Sequence, residues 1–159
     1  MSELRVGIGV DAHAFEDGVP LVLGGVSIDY PRGLAGHSDG DVVAHALIDA
    51  ILGAANLGDI GSLFPSGDEQ YRGASSLDLL WEAYREVREA GWGLVNADCV
   101  LVGEEPRIGE IRGEMSERLG AALGVDAAQV AVRATTTDGL GFTGRGEGLA
   151  AHAVALLSR

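Results

Sequence analysis

The sequence predicts an α/β (α+β) fold, a mixed four- to five-stranded sheet covered by helices on one face. Three observations predict it. Residues 4–11 and 92–102 alternate in the period-two manner of strands. Val42, Val43, Ala46, Leu47, Ala50, Ile51 and Ala54 recur at steps of three and four, the period of a helix. The 159 residues fit one domain (1–159), and strands and helices succeed one another without a repeat, linker or charged tail.

The elements follow in order. Leu4 to Asp11 is rich in Val, Ile and Gly and reads as a strand, and residues 12–20 read as a loop. Leu21 to Ile28 is an irregular strand broken by Gly24-Gly25, and 29–40 is loop by composition. A helix spans Asp41 to Ala55, with Asp39 and Asp41 where a helix N-terminus favours negative charge. Residues 56–75 have no period, and a structureless stretch of about 20 residues is usually functional or mobile. A second helix covers Ser76 to Ala90, with Gly91 as its stop, and Trp92 to Val102 is a strand. Pro106 can open a third helix ending at Gly124. Gln129 to Thr136 is a strand, 135–148 a Gly-rich turn, and Leu149 to Leu157 a final strand.

Composition excludes several chemistries. The net charge is −13, which argues against nucleic-acid binding by a basic face. All 11 basic residues are Arg, so Schiff-base lysine chemistry and a Walker A lysine are excluded. Cys99 is the single cysteine, so neither an internal disulfide nor a four-cysteine zinc site exists. The start MSELRVGIGV has no signal-peptide pattern, and no apolar run is long enough to span a membrane. A soluble protein of the cytoplasm is the expectation. Glycine accounts for 25 residues, about twice its usual share, which points to tight turns and close backbone approaches.

Two segments carry candidate chemistry. Asp11 and His13 share a strand face, and His45 lies on the first helix. One carboxylate and two imidazoles with an open fourth position match a catalytic zinc. The same set suits a non-haem Fe(II) oxygenase, and a structural role for the histidines in a non-catalytic protein stays open. His37, Ser38 and Asp39 precede the helix, where backbone N–H groups bind anions or a side chain simply caps. Further on, Thr135, Thr136, Thr137 and Asp138 enter the Gly-rich turn ahead of Arg145. Hydroxyls and free N–H groups can cradle phosphates, Asp138 can offer an oxygen to Mg²⁺, and Arg145 can grip phosphate bidentately. The alternative is a strand end with turn glycines. His152, Trp81 and Trp92 are assigned to packing or to an oligomer interface.

Together, DAH at 11–13, AGHSDGDVVAHALIDAILGAANLGDIG at 35–61, FPSGD at 64–68 and ATTTDGLGFTGRGEG at 134–148 resemble the 2-C-methyl-D-erythritol 2,4-cyclodiphosphate synthases, lyases of non-mevalonate isoprenoid biosynthesis. The resemblance covers essentially the whole chain. It implies a homotrimer with active sites between adjacent subunits, and Zn²⁺ held by Asp11, His13 and His45. The implied substrate is a cytidine diphosphate, 4-diphosphocytidyl-2-C-methyl-D-erythritol 2-phosphate, which cyclises with loss of CMP. His37 and Thr136 match residues that stabilise the transition state. Ser38, Asp59, Ile60 and Gly61 match positions that hold the methylerythritol phosphate, under a loop of Phe64, Pro65, Ser66, Gly67 and Asp68. Gly103, Pro106, Arg107, Ile108 and Gly109 match the segment that receives cytidine. Thr135, Thr137 and Asp138 lie with the phosphates, where Asp138 replaces a more usual Glu as ligand to Mg²⁺ or Mn²⁺. Phe142 and Arg145 match residues near the trimer axis.

Overall fold

The computed structural model describes residues 2–159. A five-stranded mixed sheet forms in the order β4-β1-β7-β5-β6, from β1 (Leu4–Asp17), β4 (Arg32–Leu34), β5 (Gly93–Val102), β6 (Val130–Thr135) and β7 (Gly148–Ser158). Only β5 and β6 run parallel, and the connection between them carries the helix α4 (Arg112–Leu123). The expected mixed sheet with helices on one face is what forms.

β1 runs six residues further than the sequence alternation indicates. It pairs with β7 from Leu4↔Ser158 to Ala14↔Gly148, then with β4 from Phe15↔Leu34 to Asp17↔Arg32. The extension was hidden because polar Asp11 and His13 occupy its inward positions, so the apolar alternation stops although the strand does not. β4 was likewise read as loop, being only three residues long. The run 21–28 is a hairpin, not one irregular strand: β2 (Leu21–Leu23) and β3 (Val26–Ile28) join at Gly24 and Gly25, both at positive φ (57° and 77°). Two left-handed central residues are what a tight primed turn demands, and glycine adopts them without a Cβ clash.

The helix α1 (Val42–Ala55) is capped by Asp41, whose carboxylate accepts the Ala44 N–H at 3.1 Å. Only Asp49 and Gly53 of its 14 residues escape burial, because it lies between the sheet and α3 (Ser76–Glu89). An apolar surface on all sides is the mark of such a central helix. Within 56–75 the chain makes α2 (Ile60–Leu63) and a 3-10 turn at Glu69–Tyr71. α4 starts at Arg112 rather than at Pro106: Gly109 costs about 1 kcal/mol relative to Ala in a helix, and the chain turns at Ile108, whose carbonyl accepts Ile111 and Arg112 N–H. The short α5 (Gly141–Gly144) interrupts the Gly-rich turn.

Side chains on β1 sort by face. Gly9, Asp11, His13 and Phe15 share the inner face, while Leu4, Val6, Ile8 and Val10 project from the other face at 55–69% exposure. His152 and Val154 of β7 project from that same outer face. Trp92 is buried beneath the guanidinium groups of Arg5 and Arg159, whereas Trp81 is exposed on α3. Among the described residues no helix is long and apolar enough to cross a membrane.

Candidate metal centre and active-site cleft

Asp11, His13 and His45 converge. Their ligand atoms all lie within 4.8 Å of one another. Asp11 Oδ2 is 2.8 Å from His13 Nε2 and 3.1 Å from His45 Nδ1, and the two ring nitrogens are 3.3 Å apart. Period-two geometry aligns the two β1 residues. The depth of α1 against β1 delivers the third. Burial works against ionisation of Asp11, but hydrogen bonds and charge from His13 and His45 outweigh it and hold the carboxyl down at about 2. The hydrogen bond that His13 donates to Asp11 raises the ring pKa of His13, with burial opposing.

The donor set fits a divalent cation. Ser76 Oγ holds His45 Nε2 at 2.8 Å, and the Ala35 backbone beside His13 favours a proton on that ring. The remaining ring nitrogens therefore face a carboxylate oxygen. Such a cluster of acceptors needs either protons or a cation at its centre. Ligating histidines commonly have the far nitrogen held in this way. Zinc and Fe(II) both accept this ligand type.

The three ligands border a cleft of about 200 Å³. His37, Ser38, Ile60, Gly61, Phe64 and Ser66, all candidates by the resemblance, line it. Tyr71 and Leu79 also line it and had no distinguishing signal. Tyr71 stands edge-on to Phe64, with ring centroids 5.3 Å apart. Ser38 does not cap the helix; its hydroxyl lies 3.0 Å from His45 Nε2. His37 Nε2 meets the Asp68 carbonyl oxygen at 3.0 Å and so ties the 64–68 loop to the stretch that leads into α1. The Asp68 carboxylate turns away from the cleft to Gln70. Asp59 caps α2 through Ser62 N–H at 2.8 Å, and Ile60 N–H is held by Asp49 at 2.7 Å.

The candidates at 103–109 and 135–145 lie elsewhere, and none of them lines the cleft. Gly103 N–H donates to the Thr135 carbonyl at 3.0 Å, and Gly139 N–H to Glu104 Oε1 at 3.2 Å, so the 103–109 and 135–139 segments meet. Asp138 sits at φ +53° beside Gly139, in a turn closed by Leu140 N–H to the Thr137 carbonyl. Thr136 Oγ1 is 3.3 Å from Asp138 Oδ1, and Thr137 Oγ1 is 3.1 Å from Thr143 Oγ1. Arg145 is engaged by Glu147 at 3.1 Å. Strand register fixes the spacing of the clusters. Ala12, Ala150, Val102 and Thr135 lie in one row across β1, β7, β5 and β6. Three strand spacings make that about 14 Å.

The YgbB family model matches residues 4–158 of this chain. The chain belongs to the YgbB family. Two of its YgbB relatives show how close the likeness is. It is 58% identical over 154 residues to the 2-C-methyl-D-erythritol 2,4-cyclodiphosphate synthase of Moorella thermoacetica, covering 97% of this chain and 94% of that one. It is 59% identical over 162 residues to the synthase of the same name from Rubrobacter xylanophilus, covering 100% and 98%. A solved 2C-methyl-D-erythritol-2,4-cyclodiphosphate synthase in a CDP-bound form matches with TM-score 0.87 and 39% identity, over 96% of this chain and 99% of that one.

In this YgbB chain Ile108, a candidate for cytidine contact, is buried at 2% exposure, so its side chain belongs to the core. Arg107 is exposed at the surface, in a loose ion pair with Glu105 at 4.0 Å. Asp39 and Ser76, which support His45 from behind, were not singled out as site residues by the sequence. There Asp39 reads as part of the anion-binding or capping segment before α1, and Ser76 only as a helix start.

Proposed function

We propose that this chain cyclises 4-diphosphocytidyl-2-C-methyl-D-erythritol 2-phosphate to 2-C-methyl-D-erythritol 2,4-cyclodiphosphate with release of CMP, a lyase reaction of non-mevalonate isoprenoid biosynthesis. The chain-long YgbB likeness supports the reaction class, and the convergence of Asp11, His13 and His45 at the mouth of the cleft carries the assignment of the site. An oxygen of the 2-phosphate forms a bond to the β-phosphorus. The bond from that phosphorus to the oxygen bridging it to the α-phosphate breaks, and CMP leaves with the electron pair. Nucleophile and target belong to one molecule, so catalysis is chiefly folding the substrate into line and neutralising charge. No lysine or thiol is required, since the attacking phosphate is already ionised.

Asp11, His13 and His45 would hold Zn²⁺, and Asp138 would contribute to Mg²⁺ or Mn²⁺ with the phosphate oxygens. The ions supply positive charge that a chain of net charge −13 otherwise lacks at a diphosphate. His37, which lines the cleft, would offer its Nε2–H to the transferring phosphoryl group in exchange for the Asp68 carbonyl that it meets in the free protein. Thr136 presents a hydroxyl to it from the other cluster. Ser38, Asp59, Ile60 and Gly61 seat the methylerythritol phosphate, and the Phe64–Asp68 loop excludes water above it. Gly103 and Gly109 bracket backbone groups that receive the cytosine ring.

The two clusters are about 14 Å apart within one chain, by three strand spacings. This supports a homotrimer in which one subunit's metal cluster faces its neighbour's Thr135–Asp138 segment. The exposed row Leu4, Val6, Ile8 and Val10 is an apolar sheet face of the kind subunits cover.

The test is phosphorus NMR of the cytidyl substrate incubated with enzyme, with and without a chelator. Formation of the cyclic diphosphate and CMP, abolished by chelator and by His45→Ala, is the expected result. Turnover that survives both treatments would overturn the metal assignment.

A further inference from the structure

We infer that Ser76 and Asp39 are positioning residues that lock the His45 imidazole in the tautomer whose Nδ1 is free to ligate a metal ion. The inference rests on the metal reading above and extends it to residues that touch neither metal nor substrate.

Counting hydrogens gives the argument. Asp39 receives three donors: the Ser76 N–H on Oδ2 at 3.0 Å, the Asp41 N–H on Oδ1 at 3.0 Å, and the Ser76 hydroxyl on Oδ1. A serine hydroxyl has a single hydrogen. With that hydrogen committed to Asp39, Ser76 Oγ can only accept from His45 Nε2, 2.8 Å away. Nε2 therefore carries the proton. Ser38 Oγ, 3.0 Å from the same nitrogen, is placed as a second acceptor. Nδ1 is left with its lone pair, aimed at the space between Asp11 Oδ2 and His13 Nε2.

Were the relay reversed, Ser76 would donate to Nε2, the proton would sit on Nδ1, and the third ligand would be lost. Burial makes the relay effective. Ser76 is fully buried at the first residue of α3, and no buried side-chain polar atom among the described residues lacks a partner. Water is thus kept from substituting for the serine. The packing of α3 on α1 in this way sets the proton position on a ligand borne by α1.

Two variants test it. Ser76→Ala removes the relay. Asp39→Asn puts an amide donor where a carboxylate oxygen accepted, which opposes one of the Ser76 donors. Zinc affinity is measured by chelator competition, with a melting curve for each variant as a check on folding. Nitrogen-15 NMR of the metal-free wild type, at a pH well above the histidine range, reads the His45 tautomer directly. The expected results are a proton on His45 Nε2 in the wild type and zinc binding weakened about 10- to 100-fold in both variants. A proton on Nδ1 in the wild type, or wild-type zinc affinity in either folded variant, would overturn the inference. Should His45→Ala bind zinc as tightly as the wild type, the metal reading itself fails and takes the inference with it. If Ser76→Ala does not fold, Asp39→Asn and the wild-type spectrum decide.

Discussion

Gly9 lies directly beneath Ala46: a Cβ at Gly9 would stand 1.9 Å from the Ala46 carbonyl oxygen. Gly7 stands in the same relation to Ala50, at 2.1 Å. The obstructing atoms are helix backbone, so they cannot rotate aside. These two glycines set how deeply α1 sits on β1, and hence how near His45 comes to Asp11 and His13.

Gly9→Ala should therefore push α1 off the sheet. Overpacking against backbone costs at least the usual 1–3 kcal/mol, about 3 kcal/mol here. For a chain of this size that is a loss of about 6–12 °C in Tm. Zinc affinity should fall with it. Thermal melts and chelator competition read both, and an unchanged affinity would separate helix depth from ligand geometry.

Asp41→Ala should destabilise by about 3 kcal/mol, since unsatisfied buried donors cost about 1–3 kcal/mol each. Its fully buried carboxylate accepts Gly24 N–H at 2.9 Å, Gly25 N–H at 2.7 Å and Ala44 N–H at 3.1 Å. It thereby pins the β2–β3 turn to the start of α1. Denaturant titration checks this, and a loss below ~1 kcal/mol would count against the clamp.

Zinc binding should release protons near neutral pH. The ring pKa of His13 is raised above its ordinary 6.5, first by the Asp11 hydrogen bond. Stability contributed by that raised pKa is complete below 6.5 and is lost as pH climbs through the raised value. Stability contributed by Asp11 is present above 3.8 and is lost as pH falls through about 2. In the metal-free protein the pair is thus best formed in the weakly acid range, where a proton competes with metal for His13. Zinc affinity should rise with pH through and beyond the histidine range. Calorimetry in buffers of different ionisation enthalpy measures the released protons, and none released at neutral pH would contradict the raised value.

Thr136→Val should lower kcat about 100-fold, as loss of one transition-state donor does, while KM changes little. Steady-state CMP release gives the split. A raised KM at constant kcat would make Thr136 a ground-state contact instead.

Much of the fold was legible in the chain. The α1 periodicity, the alternation of β5 and the helix stop at Gly91 are local signals, and local signals survive without the rest of the molecule. The continuation of β1 to Asp17 was not legible, because its inner face turns from glycine to metal-ligand types where apolar residues would mark a strand. The start of α4 was misread because a proline permits a helix start without requiring one.

By itself the sequence determined which groups are available: one carboxylate and two imidazoles, a threonine-rich turn, and no lysine. Tertiary structure decided the rest. Which nitrogen of His45 bears its proton depends on Ser76 and Asp39, 31 and six residues away in sequence, and only packing brings them into one hydrogen-bonded chain. The separation of the threonine-rich turn from the metal ligands depends on strand order, which no local pattern records. Period and composition are properties of neighbours in the chain, whereas proton position and site geometry are properties of neighbours in space.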